Sequence, residues 1–163
     1  MKELRIARVF LLVIICLAGM SAADLSAGQI PHTPSKTDKC PVCGMFTAKY
    51  PNWSSQIIFK DGSYATFDGT KDMMKYLFDM KKYNSSQDAS SIDSIFVKDY
   101  YSLDVIDARK AFFVEGSTVN GPMGRELVPF KSRPDALGFM NDHRGKRMLT
   151  FPELDRDLIK GLD

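Results

Sequence analysis

The stretch "TFDGTKDMMKYLF", residues 66–78, has the pattern of a short strand that leads directly into a helix. Asp68 or Thr70 can cap the first turn of this helix, because both side chains can accept from exposed backbone N–H groups. Apolar residues then recur at helical spacing, which predicts one buried face made of Met73, Tyr76, Leu77 and Met80. We therefore interpret these methionines as core residues and not as ligands.

A second stretch, "PFKSRPDALGFM" at residues 129–140, superposes on the first without gaps. It predicts a helix from Arg133 to Asp142, with Pro134 in the first turn behind Ser132 as the cap. The superposition places Phe67 over Phe130, Asp72 over Asp135, Met74 over Leu137 and Tyr76 over Phe139. Two strand-to-helix units of this kind suggest an internal duplication.

The remaining strands follow from short apolar runs. The runs "SSQIIFK" and "SYATF" flank Asp61-Gly62, a pair that favours a tight hairpin turn. Further strands are predicted at "SIFVKD", "AFFVEGS", "RELVPF" and "RMLTF", and a last short helix at "PELDRDLIK". The sequence thus predicts an α+β fold of two small strand-strand-helix lobes, about residues 40–88 and 89–163. Ligands often bind in the cleft between two such lobes.

We also predict which large side chains pack these lobes. Trp53, Ile57, Phe59 and Phe67 are expected in the core of the first lobe. Leu127, Phe130, Leu137 and Phe139 are expected in the core of the second.

The N-terminus has the features of a secretory signal. Lys2, Arg5 and Arg8 precede the apolar run "VFLLVIICLAGM", and the small residues Ser21-Ala22-Ala23 follow. We expect cleavage after Ala23, so that residues 1–23, with Cys16, are removed and a periplasmic protein remains. The apolar run is too short to span a bilayer.

A competing interpretation makes Cys16 a lipid-modified N-terminus of a membrane lipoprotein. Ile15 disfavours it, because a lipoprotein signal normally has Gly, Ala or Ser there. Residues 24–39, "DLSAGQIPHTPSKTDK", have few large apolar side chains and two prolines, so we interpret them as a flexible lead-in.

Charge and composition exclude several classes of function. Loss of the signal, which carries three basic residues and Glu3, leaves 19 basic and 19 acidic side chains and no basic field for nucleic acid. No transmembrane span is expected in the mature chain. We find no Ser-His-Asp spacing or phosphate loop and expect the carboxylates on solvated faces, so the sequence does not indicate an enzyme.

The segment "KCPVCGMFTAKY", residues 39–50, concentrates sulfur in a short loop. Cys40 and Cys43 could close a disulfide or form a redox pair, although Gly44 leaves no long helix to lower a thiol pKa. Zinc needs about four ligands, and the mature chain adds only His32 in the lead-in and His143 at a helix end.

Copper(I) suits these residues better, because this soft ion prefers thiolate and thioether ligands. An extended backbone at Cys43, Gly44 and Met45 would point both sulfurs to one face. Met123, between Pro122 and Gly124 in "NGPMGREL", lies on a loop and is a candidate third sulfur ligand.

The sequence resembles the NosL family of periplasmic copper proteins. The resemblance covers about residues 40–152 and includes "CGM", the spacing of Trp53, Gln56 and Ile57, and "D-G" and "F-D" of the first lobe. Its most specific part is "GPMGRELVPFKSRPDALGFMNDHRGKRMLTF".

The resemblance implies a two-lobed α+β fold with a Cu(I) site. It also implies a role in assembling the copper centre of nitrous-oxide reductase, by transfer to that enzyme or to its membrane maturation complex. The metal ligands would be Cys43, Met45 and Met123. Cys40 lies outside the minimal "CGM" pattern and could be a third ligand, an alternative ligand during handover, or a disulfide partner. Family members are commonly lipoproteins, a pattern from which Ile15 departs.

Overall fold

The computed structural model describes residues 29–163 and contains both helices and antiparallel sheets, which confirms the α+β class. The predicted signal and Cys16 lie outside the described residues. Within residues 29–163, no helix is both long enough and apolar enough to cross a membrane.

The predicted hairpin is present. Strands β1 (Ser55–Phe59) and β2 (Tyr64–Phe67) pair antiparallel, and the turn between them contains Asp61 and Gly62. Gly62 has a φ of 83°, a left-handed conformation that glycine adopts without strain. The Asp61 side chain accepts from the Ser63 N–H at 2.9 Å and so stabilises the turn.

Two sheets and a small hairpin contain all the strands of the described chain. The first sheet has the order β2-β1-β3-β4, where β3 is Ile92–Lys98 and β4 is Val105–Asp107. The second has the order β8-β5-β9, where β5 is Phe112–Glu115, β8 is Val128–Phe130 and β9 is Arg147–Thr150. Between β5 and β8 in sequence, β6 (Asn120–Gly121) and β7 (Gly124–Arg125) form a two-stranded hairpin.

The first sheet extends beyond the residues that we assigned to the first lobe. Strand β3 pairs with β1, and β4 pairs with β3, so residues 92–107 belong to this sheet. The change from one sheet to the other therefore occurs after Asp107 and not near residue 88. Strand pairing over this distance leaves no local signal in the sequence.

Four α-helices complete the described chain: α1 is Thr70–Phe78, α2 is Met80–Tyr83, α3 is Arg133–Asp142 and α4 is Arg156–Lys160. Helix α3 has the predicted bounds and the predicted cap, because the Ser132 side chain accepts from the Asp135 N–H at 3.3 Å. Helix α1 also forms where predicted but ends at Phe78, so Met80 begins α2. Of the predicted face, Met73, Tyr76 and Met80 are buried as core residues and Leu77 is half-buried.

One core cluster is shared by both halves of the chain. It joins Ile57 and Phe67 of the first sheet with Phe113 and Leu127 of the second half and with Ile159 of α4. The predicted cleft between lobes is not confirmed, because the two halves pack against each other through these side chains.

A second cluster lies between α3 and the second sheet and contains Val114, Val128, Phe130, Ala136 and Phe139. Six of the eight predicted core residues are at most 1% exposed: Ile57, Phe59, Phe67, Leu127, Phe130 and Phe139. Three assignments were wrong. Trp53 packs on the second cluster and Leu127 belongs to the first, while Leu137 is only half-buried.

The described part of the lead-in contacts the first sheet. The His32 N–H donates to the Gln56 side chain at 2.9 Å, and the His32 ring stacks on Tyr64 with centroids 4.4 Å apart. Farther along, Lys39 forms an isolated antiparallel bridge with Phe46 and closes the loop that carries the cysteines.

Candidate metal centre

Cys40 and Cys43 lie on a tight loop. The Cys40 N–H donates to the Met45 carbonyl at 2.8 Å, and the Gly44 N–H donates to the Cys40 carbonyl at 2.9 Å. Gly44 has a φ of 79°, so this position favours glycine. The expected extended backbone from Cys43 to Met45 is therefore wrong. The loop turns back on itself and faces the start of α1.

Two aspartates accept hydrogen bonds from the thiols. Cys40 Sγ donates to Asp72 Oδ2 at 3.5 Å, and Cys43 Sγ donates to Asp68 Oδ1 at 3.2 Å. One ligand atom from each of the four residues lies within 4.8 Å of the others. Both thiols are free, so no disulfide joins them. We call these four residues the thiol–carboxylate cluster.

The end of β2 and the first turn of α1 position the carboxylates. Asp68 directly follows β2 and is 1% exposed, and Asp72 lies in the first turn of α1 and is 3% exposed. The positive end of the helix dipole stabilises negative charge at this location. Asp68 Oδ2 is buried without a hydrogen-bond partner. Such an atom is rare in a folded protein and is a place where a cation can bind.

Burial raises the pKa of both thiols. It raises the pKa of Cys43 to about 12, and hydrogen bonds to Asp68 and Asp72 act in the same direction. Burial also raises the pKa of Cys40 well above its ordinary value. Both thiols therefore carry their protons at neutral pH, whereas the reactive thiols of redox Cys-x-x-Cys motifs have a lowered pKa. The raised thiol pKa values therefore distinguish this site from redox Cys-x-x-Cys motifs.

The Met123 loop lies at the same end of α1. Met123 is at the tip of the β6–β7 hairpin and is 44% exposed, and its carbonyl accepts from Lys71 Nζ at 2.9 Å. Lys71 immediately precedes Asp72, so the loop contacts the same first turn of α1 that carries one residue of the thiol–carboxylate cluster. Met45 is half-buried in the cysteine loop. That the sulfurs of Met45, Met123 and Cys43 share one ion remains a prediction.

The two histidines lie elsewhere in the fold. His143 caps the C-terminal end of α3, where its ring packs on Phe139 with centroids 4.4 Å apart. His32 stacks at the start of β2, whereas Asp68 follows the end of that strand. The structure thus adds no histidine to the described thiol–carboxylate cluster.

The sequence analysis did not predict the buried carboxylates of the site. We expected the carboxylates on solvated faces, but Asp68, Asp72, Asp99 and Glu126 are each at most 3% exposed. We also expected Asp68 or Thr70 to cap α1, yet neither does, and the N-cap residue is Gly69. Only the placement of Asp68 between a strand and a helix hinted that its carboxylate could be enclosed.

Comparison with known proteins identifies the family. The sequence profile of NosL matches residues 31–159. This chain belongs to the NosL family. The match includes the cysteine loop, both sheets and the Met123 loop.

Two relatives show how far the NosL similarity extends. The copper-binding lipoprotein NosL of Stutzerimonas stutzeri is 30% identical over 131 residues, which cover 76% of this chain and 65% of that protein. This chain therefore spans slightly less than two thirds of that relative's length. The crystal structure of the copper chaperone NosL from Shewanella denitrificans is 25% identical, with a TM-score of 0.67. The matched region covers 78% of this chain and 97% of the Shewanella denitrificans chain.

Proposed function

We propose that this protein is a periplasmic Cu(I) carrier that delivers copper to a cuproenzyme, nitrous-oxide reductase, directly or through a membrane maturation complex. Copper is held by Cys43, Met45 and Met123, and Cys40 is an additional or alternative ligand during handover. The observation that carries the proposal is the pair of free thiols that donate to Asp68 and Asp72 at the start of α1, where Lys71 also holds the Met123 loop.

The ligand chemistry supports Cu(I) over zinc. Thiolate and thioether sulfurs are soft donors, which Cu(I) prefers, and a thioether contributes little to a zinc site. Carboxylates are harder donors, and in this account Asp68 and Asp72 accept the thiol hydrogen bonds and add a negative field that attracts a cation. They need not ligate copper themselves.

Loading exchanges a proton for a metal ion. The Cys43 thiol loses its proton when the sulfur bonds to copper, and Asp68 Oδ1, at 3.2 Å, is the nearest base to receive that proton before it passes to solvent. The resulting copper–thiolate unit is neutral. Loading therefore adds no net charge at this sulfur, which avoids the cost of burying an isolated ion.

Release depends on the exposed side of the site. Met123 is a neutral ligand on a hairpin tip and is 44% exposed, so a partner's own ligands can approach copper from that side. A site with only three sulfur ligands leaves space for such an attack. We therefore expect transfer by ligand exchange without any catalytic step.

The location of the protein follows from its N-terminal sequence and its relatives. The features of residues 1–23 support export and cleavage after Ala23. The Stutzerimonas stutzeri relative is named a lipoprotein, and in this chain Ile15 disfavours lipid attachment at Cys16. We propose a periplasmic mature protein that meets its copper acceptor without a membrane span of its own.

A thiol-disulfide redox function is the second candidate, and one observation favours it. The sulfurs of Cys40 and Cys43 lie within 4.8 Å of each other, so a small movement could join them. A redox protein needs both cysteines and neither Met45 nor Met123. A copper carrier needs the methionines and depends less on Cys40.

Titration of the reduced mature protein with Cu(I) against a competing chelator tests the proposal. Met123→Leu should weaken binding, because it removes a sulfur ligand and preserves the volume of the side chain. Met140→Leu is the matched control, since Met140 is half-buried against the second cluster and should bind copper like the parent. If Met123→Leu binds like the parent and Cys40→Ser does not, copper sits on the cysteine pair alone.

A further inference from the structure

Helix α1 begins without a cap of its own. Its N-cap residue is Gly69, which has no side chain, and the first N–H groups of a helix have no partner within the helix. Such groups need an acceptor when they are buried, and Thr70 and Lys71 are both at most 3% exposed. The start of α1 is also the location of the thiol–carboxylate cluster.

Glu126 supplies the missing acceptor from a distant part of the chain. Its Oε1 accepts from the Lys71 N–H at 2.5 Å and from the Leu127 N–H at 2.9 Å. Glu126 is 3% exposed and lies three residues after Met123. One carboxylate oxygen thus links the first turn of α1 to the segment that carries the Met123 loop.

Two glycines make room for this carboxylate. A Cβ at Gly69 would collide with Glu126 Oε2, and a Cβ at Gly121 would lie 3.0 Å from Glu126 Cγ. Gly69 has an extended φ of −165°, which any residue can adopt, so space and not backbone strain explains glycine there. The Glu126 side chain therefore fits closely between the start of α1 and strand β6.

Lys71 forms a second link to the same loop. Its backbone N–H donates to Glu126, while its Nζ donates to the Met123 carbonyl at 2.9 Å. One residue of α1 thus contacts both the tip of the hairpin and the residue that follows strand β7. The residue that follows Lys71 is Asp72, which accepts from the Cys40 thiol.

We propose that Glu126 is a positioning residue, whose carboxylate fixes the Met123 loop to the first turn of α1 and so holds the Met123 thioether within reach of copper. This inference rests on the proposed function, in which Met123 is a ligand. Glu126 itself does not touch the ion. Its contact with α1 already restricts the exposed hairpin tip in the metal-free protein. The tip therefore loses less conformational entropy when it binds copper.

Hydrogen exchange and copper titration of the mature protein test this role together. Glu126→Ala should speed amide exchange in residues 120–125 about tenfold in the metal-free protein, because the loop loses its hydrogen-bonding link to α1. The same variant should weaken Cu(I) binding about tenfold, which corresponds to about 1.4 kcal/mol. Glu126→Gln retains an acceptor oxygen and should show a smaller change in both.

The matched control is Glu115→Ala. Glu115 is a largely buried carboxylate of β5 that pairs with Arg147 on the neighbouring strand β9. This variant loses a carboxylate and an ion pair, and it should change neither loop exchange nor copper affinity. A general loss of stability would affect both variants alike, and thermal unfolding measures that loss directly.

The decisive comparison repeats Glu126→Ala in a Met123→Leu background. If Glu126 acts through Met123, its effect on copper affinity disappears there, because the ligand that it positions is absent. An undiminished loss in that background, or unchanged exchange in residues 120–125, overturns the inference. If Met123→Leu alone binds copper like the parent, the proposed ligand set fails, while loop exchange still decides whether Glu126 holds the loop.

Discussion

Helices α1 and α3 follow strands of similar sequence, but their first turns are stabilised in different ways. Helix α3 is capped locally by Ser132, and Asp135 in its first turn is exposed and bonded to that serine. Helix α1 has glycine at the N-cap, and its Asp72 is buried and bonded to a thiol. Its cap comes from Glu126, 55 residues beyond Lys71 in sequence.

The start of α3 has only a structural role, whereas the start of α1 also carries residues of the candidate site. A local cap satisfies the backbone of α3 and leaves its aspartate in solvent. At α1, the cap is provided by the segment that also carries Met123, so two distant loops converge on one helix end. Local sequence rules tend to fail where a protein builds a site, and they fail at α1.

The largest effect should be at Cys43. Cys43→Ser should weaken Cu(I) binding by about a thousandfold or more, roughly 4 kcal/mol, because a hydroxyl is a poor ligand for a soft ion. Competition with a chelator measures this loss. Ser132→Ala, at the equivalent start of α3, should bind copper like the parent. Equal losses in the two variants would mean that the change reflects stability and not a ligand.

The next prediction concerns how the free energy of unfolding depends on pH, which should involve the start of α1 and not the start of α3. Burial raises the pKa of Glu126 from its ordinary value of 4.5 to about 8, although Lys71 lowers it in part. Between these pH values the folded protein keeps a proton that the unfolded chain releases, so the free energy of unfolding should fall as pH rises from about 4.5 to 8.

Chemical denaturation at several pH values checks this slope. Glu126→Gln cannot titrate and should lose that part of the pH dependence. Ser132→Ala retains Glu126 and should keep the slope of the parent. Identical slopes in Glu126→Gln and the parent would show that burial of this carboxyl does not control its protonation.

Replacing glycine by alanine should lower the free energy of unfolding at the start of α1 and raise it within α3. Gly69→Ala forces the new Cβ into the Glu126 carboxylate and should cost about 1–3 kcal/mol of unfolding free energy. Gly138→Ala, inside α3, meets open space and should stabilise by about 0.5–1 kcal/mol. Thermal or urea unfolding measures both, and a neutral Gly69→Ala would contradict the close fit of Glu126.

The smallest effect should be at the local cap. Ser132→Ala removes the side chain that accepts from the Asp135 N–H and should cost about 1 kcal/mol of unfolding free energy. The matched measurement is urea unfolding of the parent and the variant. A loss above about 3 kcal/mol would show that Ser132 supports more than the first turn of α3.

The parts of the fold that sequence predicted depend on local signals. Asp61-Gly62 specifies the hairpin turn, and Ser132 with Pro134 specifies the start of α3. Each signal lies within a few residues of the structure that it predicts. The attachment of β3 to β1 has no such signal, because pairing between distant strands is decided by the whole fold.

The candidate site was predictable in its sulfur residues and not in its carboxylates. Cys40 and Cys43 stand out because cysteine is rare in this chain, and Met123 because glycine and proline flank it. Asp68 and Glu126 resemble the many acidic residues of a solvated surface. Their burial becomes visible only when the loops meet at α1, which a linear pattern cannot show.

X-ray absorption at the copper edge of the Cu(I)-loaded mature protein counts the sulfur atoms that bind the ion. With Cys43, Met45 and Met123 as ligands, we expect about three sulfur neighbours at about 2.3 Å, as in other metal–sulfur bonds. The number should fall to about two in Met123→Leu and stay unchanged in Met140→Leu. A first shell of oxygen or nitrogen, or a sulfur count that Met123→Leu does not alter, would contradict the three-sulfur site.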